Sequence, residues 1–257
     1  MDDYEKFKKD VFALTQIDLN AYKEKQMKRR IDSLILKNGI KNYTDYVAAL
    51  KRDKNLFEEF VNYLTINVSE FFRNPEQWDI LNKEILPELY AKSKNLKIWS
   101  AACSTGDEPY TIVMTLSRHQ PLSSIKVLAT DIDKQVIEKA KAGLYNEKSI
   151  KAVPEEFKQK YFTKVNEYTY KISDEIKRCV EYKNHNLLKD PYPTDMDLIV
   201  CRNVLIYFTE EAKNDIYKKF NASLRKGGYL FTGSTEQIIQ SQSLNFEAAK
   251  SFFYKKF

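Results

Sequence analysis

Trp99-Ser100-Ala101-Ala102-Cys103-Ser104-Thr105-Gly106-Asp107-Glu108-Pro109-Tyr110 joins an apolar strand to a helix through a loop of small residues and one glycine. Leu96 to Ala101 reads as a buried strand, small residues and a glycine follow it, and Pro109 opens a helix to Ser117. Downstream the same alternation returns. Ile125 to Thr130 is a second strand ending in Asp131-Ile132-Asp133, and a helix carrying Val136, Ile137 and Ala140 comes next. Val180 to Asn184 and Asp197 to Cys201 read as strands, and Thr209-Glu210-Glu211 opens a helix to about Leu224 with acids in its first turn, where the helix dipole favours them. Gly227-Gly228 then turns into a strand from Tyr229 to Gly233, and Phe246 to Phe257 reads as a terminal strand pair. Strands alternating with helices predict an α/β fold, a parallel sheet covered on both faces. Between about residues 154 and 182 the glycine-free, aromatic-rich pieces around Tyr161, Phe162, Tyr168, Tyr170, Ile172 and Ile176 predict a short antiparallel insertion.

Upstream, the first 66 residues read as helices throughout, with Leu56, Phe57, Phe60, Val61 and Leu64 on one face of the last. Asn74-Pro75-Glu76-Gln77 reads as a helix start, Asn as N-cap and Gln placed for a capping box, leading a helix to about Tyr90 with a bend at Pro87. At 257 residues and 43% hydrophobic the chain can bury a sizeable core. It has no apolar run long enough for a membrane span and no secretion signal at its start, so a cytoplasmic protein is expected. Three cysteines and two histidines, all widely spaced, predict neither a disulfide framework nor a metal site.

The formal charge of +6 is local, because residues 20–54 hold ten basic residues against four acidic ones. Met27, Ile31, Leu34 and Ile35 form the apolar stripe of a helix from about Ala21 to Lys37, capped by Gly39. Lys25 and Arg29 lie on the far face, flanked by Lys23, Lys28, Arg30 and Lys37. Such a run can be a solvated face; concentrated here, it favours docking to nucleic acid or to an acidic protein.

Ligands of doubly wound sheets bind beyond the carboxyl ends of the strands. The loop after the first strand lacks the G-x-G-x-x-G fingerprint and the lysine of a phosphate loop, and Asp107 and Glu108 would repel a pyrophosphate. They suit a cationic ligand instead. Asp131 can be a turn former, but paired with the Gly106 loop it suits ribose hydroxyls, which points to a nucleoside without phosphates, S-adenosylmethionine being the common candidate. Cys103 and Cys201 read as structural, and Tyr207 as a pocket wall or a core residue.

Four motifs, Asn67-Val68-Ser69-Glu70-Phe71-Phe72-Arg73, the Trp99 to Tyr110 stretch, Ala129-Thr130-Asp131-Ile132-Asp133 and Cys201-Arg202-Asn203-Val204-Leu205-Ile206-Tyr207-Phe208, together resemble the CheR-type chemotaxis receptor glutamate methyltransferases over essentially the whole chain. The resemblance implies a doubly wound, Rossmann-like S-adenosylmethionine methyltransferase domain over 93–257 with a small antiparallel β insertion at about 154–182. A small all-α domain over 1–70 and a connecting helix over 71–92 precede it. It implies methyl transfer to chemoreceptor glutamates, with S-adenosylhomocysteine as product and the receptors' cytoplasmic helices as partner. Carried over by residue, it places Asn67, Ser69, Arg73, Glu108, Asp131, Asn186, Leu187, Arg202 and Asn203 at the cofactor, with Arg73 also as the catalytic candidate. Ser69 stands where the family often has Thr, so the hydroxyl is kept. Lys23, Lys25, Lys28, Arg29 and Arg30 become the receptor-docking set, and a monomer with no metal, no nucleic-acid partner and no membrane insertion is expected. The rival reading is a nucleic-acid methyltransferase whose basic helix grips phosphates. It lacks the Asn/Asp-Pro-Pro-aromatic motif, Cys201-Arg202-Asn203-Val204 standing in its place. The family's peptide-tether hairpin carries glycine; this chain has none between Gly143 and Gly227, which implies a tether-independent enzyme.

Overall fold

The computed structural model describes residues 3–257. They form two compact units, one running to Asn67 and taking in Ile206–Asp215, the other comprising Val68–Leu205 and Ile216–Phe257.

The first unit holds α1 (Asp3–Thr15), α2 (Glu24–Lys37), α3 (Tyr43–Arg52) and α4 (Lys54–Thr65). Apolar residues at helical spacing close its core: Phe7 and Val11 of α1, Ile31 and Leu34 of α2, Tyr46 of α3 and Phe60 of α4 are all buried. Asp53 ends α3 and caps α4, its carboxylate accepting from the amides of Asn55 and Leu56. The basic helix starts at Glu24, three residues after the expected start. Asp18 accepts from the Asn20 amide and closes a separate turn over Leu19–Ala21, while the Lys23 amide donates to the Tyr207 carbonyl, outside any helix.

The second unit opens on one helical run, α5 (Pro75–Ile80), a wide π turn (Leu81–Ile85) and α6 (Leu86–Lys92). Pro87 has no amide, and its ring crowds the carbonyl four residues back. The helix answers by widening just before the proline, with the Leu86 amide donating to the Leu81 carbonyl. In chain order there follow β1 (Ile98–Ser100), α7 (Asp107–Leu116), β2 (Val127–Asp131), α8 (Lys134–Ala142), β3 (Leu144–Asn146), α9 (Glu155–Tyr161), β4 (Phe162–Lys164), β5 (Thr169–Ile172), α10 (Asp174–Lys177) and β6 (Val180–Asn184). The chain closes with β7 (Met196–Cys201), α11 (Glu210–Ser223), β8 (Leu224–Thr232), β9 (Phe246–Lys250) and β10 (Phe253–Lys256).

The main sheet has seven strands in the order β6-β2-β1-β7-β8-β10-β9. β6, β2, β1, β7 and β8 are parallel, and β10 and β9 add an antiparallel edge. β1 sits between β2 and β7, so the chain leaves it in one direction and later returns on its other side. That reversal is the switch point at which such sheets bind ligands. Trp99, Leu198, Ile199, Val200, Leu230 and Phe231 are buried in the central strands.

A second sheet, β3-β5-β4, is antiparallel. It draws in Leu144–Asn146, upstream of the expected start near residue 154, and Glu155–Tyr161 is a helix with Glu155 and Glu156 in its first turn. β8 begins at Leu224, so Gly227-Gly228, expected as a turn, lies inside a strand whose register with β7 shifts between Met196 and Leu198. Among the described residues no helix is long and apolar enough to cross a membrane.

Candidate active site

The loop after β1 is stitched to both neighbouring strands. The Ala101 amide donates to the Val200 carbonyl at 2.8 Å, and the Cys103 amide to the Thr130 carbonyl at 2.9 Å. Gly106 makes the turn into α7 with φ +91°, and a Cβ there would stand 2.8 Å from both the Ala140 Cβ and the Tyr182 hydroxyl. Only glycine fits.

Asp131 ends β2. Its Oδ2 accepts from the Ser104 amide at 2.8 Å and its Oδ1 from the Asp133 amide at 3.0 Å. Burial pushes this carboxyl up to about 6, against the pull of the Asp133 and Ser104 amides. Glu108, in the first turn of α7, accepts from the Ser100 hydroxyl at 2.8 Å. Its carboxyl rises to about 7, again chiefly through burial, although Arg202 and Arg73 draw it down. Asp107, expected at the mouth beside it, is only 1% exposed; its Oδ2 accepts from the Thr105 hydroxyl at 2.6 Å, and Ser69 hydrogen-bonds the same carboxylate.

Ser69 to Arg73 reaches this loop because its aromatics anchor it. The Phe72 amide donates to the Thr111 hydroxyl at 3.1 Å, and the Phe71 ring packs edge-on against Tyr145 and Phe162. Arg202 fixes the far end. Its Nη2 donates to the Arg73 carbonyl at 2.8 Å, to Asn74 Oδ1 at 3.0 Å and to Gln77 Oε1 at 2.8 Å, while the guanidinium lies over the Trp78 and Phe231 rings. Asn74 and Gln77 therefore form no capping box; Asn74 has φ +58° and makes no side-chain cap. Burial lowers the Arg202 guanidinium to about 10.

After β6, the Asn184 side-chain amide and the His185 backbone amide both donate to the Asp131 carbonyl at 2.9 Å. Asn186 closes the next turn by accepting from the Leu188 amide at 2.9 Å, with Leu187 buried beside it. After β7, Asn203 takes φ +61°. Ser69, Arg73, Glu108, Asp131, Asn186, Leu187, Arg202 and Asn203 thus all belong to the second unit, and those that follow β1, β2, β6 and β7 share the carboxyl edge of the sheet. Asn67 belongs to the helical unit, where its side chain donates to the Thr65 hydroxyl at 2.8 Å.

The basic set divides. Lys23, Lys25 and Arg29 are exposed. Lys28 stands 5.0 Å over the Tyr4 ring, and Arg30 donates to the Tyr63 carbonyl at 2.7 Å while covering the Tyr63 ring. Lys25, Lys28 and Arg29 line a shallow groove of about 370 Å³ with Asp32, Ser33 and Leu36, which is 78% exposed. Tyr207 lies in this unit, its carbonyl held by Lys23.

Sequence reasoning missed Ser104, whose hydroxyl is buried without a hydrogen-bond partner, and Glu236, a buried carboxylate beyond β8. Both stand just past a strand end, which was the available signal.

A parallel sheet carrying a glycine-turned loop after β1, an acid at the end of β2 and a second acid opening α7 is the arrangement of the α/β class of S-adenosylmethionine-dependent methyltransferases. The chain belongs to the CheR methyltransferase family: residues 2–65 match its all-alpha domain and residues 67–253 its SAM binding domain. A chemotaxis protein methyltransferase from Listeria monocytogenes is 41% identical over 99% of this chain and 97% of its own length. Its namesake from Listeria innocua is 40% identical over the same shares, and one from Borreliella burgdorferi is 34% identical over 95% of this chain and 91% of its own. The cofactor is S-adenosylmethionine.

If Glu108 and Asp131 hold that cofactor, their raised carboxyls should make its affinity depend on pH. An acid attracts an ammonium, and accepts from ribose hydroxyls most strongly, only when ionised, so binding should be strongest above about pH 7 and weaken as Glu108 and then Asp131 take up protons. Calorimetric titration with S-adenosylhomocysteine should show affinity falling about tenfold between about pH 8 and about pH 6. A flat profile would mean that Glu108 does not meet the ligand.

Proposed function

We propose that the protein transfers a methyl group from S-adenosylmethionine to glutamate side chains on the cytoplasmic helices of chemoreceptors, yielding glutamyl methyl esters and S-adenosylhomocysteine. The observation that carries this reading is that the carboxyl edge of the sheet carries buried Asp131 and half-buried Glu108, with half-buried Arg73 near enough for its charge to act on Glu108. Glu108 suits the cofactor's cationic groups, Asp131 its ribose hydroxyls, and the arginine a carboxylate. The names of the curated relatives place those proteins in chemotaxis.

When bound, the cofactor supplies an electrophilic methyl on sulfur. A glutamate is already ionised at neutral pH and needs no base to become a nucleophile. The protein's task is then to hold oxygen, methyl and sulfur in line, and proximity of this kind supplies much of a rate. Glu108 and Asp131 hold the cofactor, Ser69 and Asn203 add hydrogen bonds, and Arg73 orients the incoming carboxylate. Burial pushes the Cys103 and Cys201 thiols well up, which keeps them neutral and inert.

The groove on α2 is the docking surface in this reading. Its exposed Lys25 and Arg29 face outward beside bare Leu36, matching a helix that is acidic along one face and apolar along its edge. With methyl-labelled cofactor and chemoreceptor membranes, label should enter the receptor and leave as methanol in mild alkali. Reversing Lys25 and Arg29 to Glu should cut the rate about tenfold or more while leaving cofactor affinity unchanged. Alkali-stable label on RNA or DNA would overturn the reading in favour of nucleic acid, and an unchanged rate in the reversed variant would remove α2 from docking.

A further inference from the structure

Beyond β8 the chain passes through Gly233-Ser234-Thr235-Glu236, and the Glu236 side chain turns back on the sheet, only 5% exposed. Its Oε2 accepts from the Asn203 amide at 2.6 Å and from the Gly233 amide at 2.8 Å, and its Oε1 accepts from the Leu205 amide at 2.7 Å. One carboxylate thus gathers two amides from the turn after β7 and one from the end of β8. Such charge-assisted bonds are the strong kind.

The turn they hold is costly by itself. Asn203 sits in the left-handed region at φ +61°, which asparagine tolerates better than other residues with a Cβ but still less readily than glycine. The approach is also close: a Cβ on Gly233 would stand 2.7 Å from Glu236 Oε2 and 2.8 Å from both the Asn203 amide nitrogen and its side-chain nitrogen. The Asn203 side-chain oxygen is buried with no hydrogen-bond partner. A buried acceptor left open costs free energy unless a ligand fills it. Strain, a three-amide clamp and an open acceptor meet on one residue at the switch-point edge.

We infer that Glu236 is a positioning residue, clamping the turn after β7 so that the Asn203 carboxamide presents its oxygen to a donor group of the bound cofactor. The inference rests on the cofactor site and does not depend on which side chain is methylated. Gly233 is the opening that lets the carboxylate reach the turn. Glu236 itself touches no reacting atom.

A double-mutant cycle tests this, read as S-adenosylhomocysteine affinity by calorimetry alongside melting temperature. In Glu236→Gln an amide donor replaces one acceptor oxygen and faces a backbone N–H, so the turn loosens. Affinity should fall about tenfold, Asn203→Ala should fall by a similar factor, and the double variant should be no weaker than either single variant. Asn203→Gly, whose backbone suits a positive φ, should match that loss while keeping or raising the melting temperature. If Glu236→Gln folds too poorly to titrate, Glu236→Asp carries the test: it keeps the charge but is one methylene too short to reach the three amides, so affinity should fall by a similar factor, and unchanged affinity would overturn the inference. If Glu236→Gln lowers the melting temperature and leaves affinity intact, if the two losses multiply, or if Asn203→Gly binds normally, the inference is overturned. Failure of the wild-type protein to bind S-adenosylhomocysteine would instead strike the cofactor site itself.

Discussion

Gly106→Ala should abolish measurable cofactor binding and lower the melting temperature by roughly 10 °C. Two costs add. A β-carbon at φ +91° is strained, and that Cβ would overlap Ala140 of α8 and the Tyr182 hydroxyl of β6 at 2.8 Å and crowd the Tyr145 hydroxyl at 3.0 Å. Strain of about 1–3 kcal/mol and overpacking of about 1–3 kcal/mol sum to a loss worth several degrees per kcal/mol at this chain length. Relief would require the loop to move off α8, carrying Ser104 away from Asp131. Gly39→Ala is the control. Its φ is +69° with nothing within 4 Å, so it pays the backbone cost alone, about 1 kcal/mol. Circular dichroism melts and cofactor titration of the two variants check this, and equal effects would contradict the packing argument.

If Asp131 holds the ribose hydroxyls, Asp131→Asn should weaken cofactor binding about a hundredfold, because asparagine loses the charge and keeps only one acceptor oxygen, while keeping or raising the melting temperature. The second half follows from sign. The Asp131 carboxyl is raised from its ordinary value to about 6, so the folded protein holds that proton more tightly than the unfolded chain. Its ionised form therefore costs stability above about pH 6, and the cost is relieved as pH falls toward the unfolded value. Asparagine is neutral at every pH and escapes that cost, in part offset by setting an amide group against the Ser104 or Asp133 N–H. A residue kept for function at the expense of stability behaves in this way. A fall in melting temperature with intact affinity would make Asp131 a structural turn former instead.

The central sheet was legible because its signals are local. Each buried strand is a short apolar run, and the small residues and Gly106 that end the first of them have a single geometric use. Asp131 could be paired with Gly106 because each stands at the end of a strand within one strand-helix-strand stretch, and the two strands prove to be neighbours. Where the partner is remote, the same residues misread. Asn74-Pro75-Glu76-Gln77 satisfies a capping pattern, but both side chains serve the Arg202 guanidinium, 128 and 125 positions along the chain. Glu236 lies in a Ser/Thr/Gln segment without periodicity, and only the fold brings its carboxylate to Asn203. On α2 the charge was plain from composition, whereas the Tyr63 ring and carbonyl that occupy Arg30 belong to α4. The helix began later than its apolar stripe suggested because Asp18 closes a turn of its own first.

The most direct test of the proposed reaction is tandem mass spectrometry of chemoreceptor peptides after incubation with the protein and S-adenosylmethionine. Each modified site should carry one added methyl, localised to a glutamate side chain and removed by mild alkali, and strongly depleted in the Asp131→Asn sample at limiting cofactor. A methyl localised to any other side chain, or a receptor left unmodified while wild-type protein binds the cofactor, would contradict it.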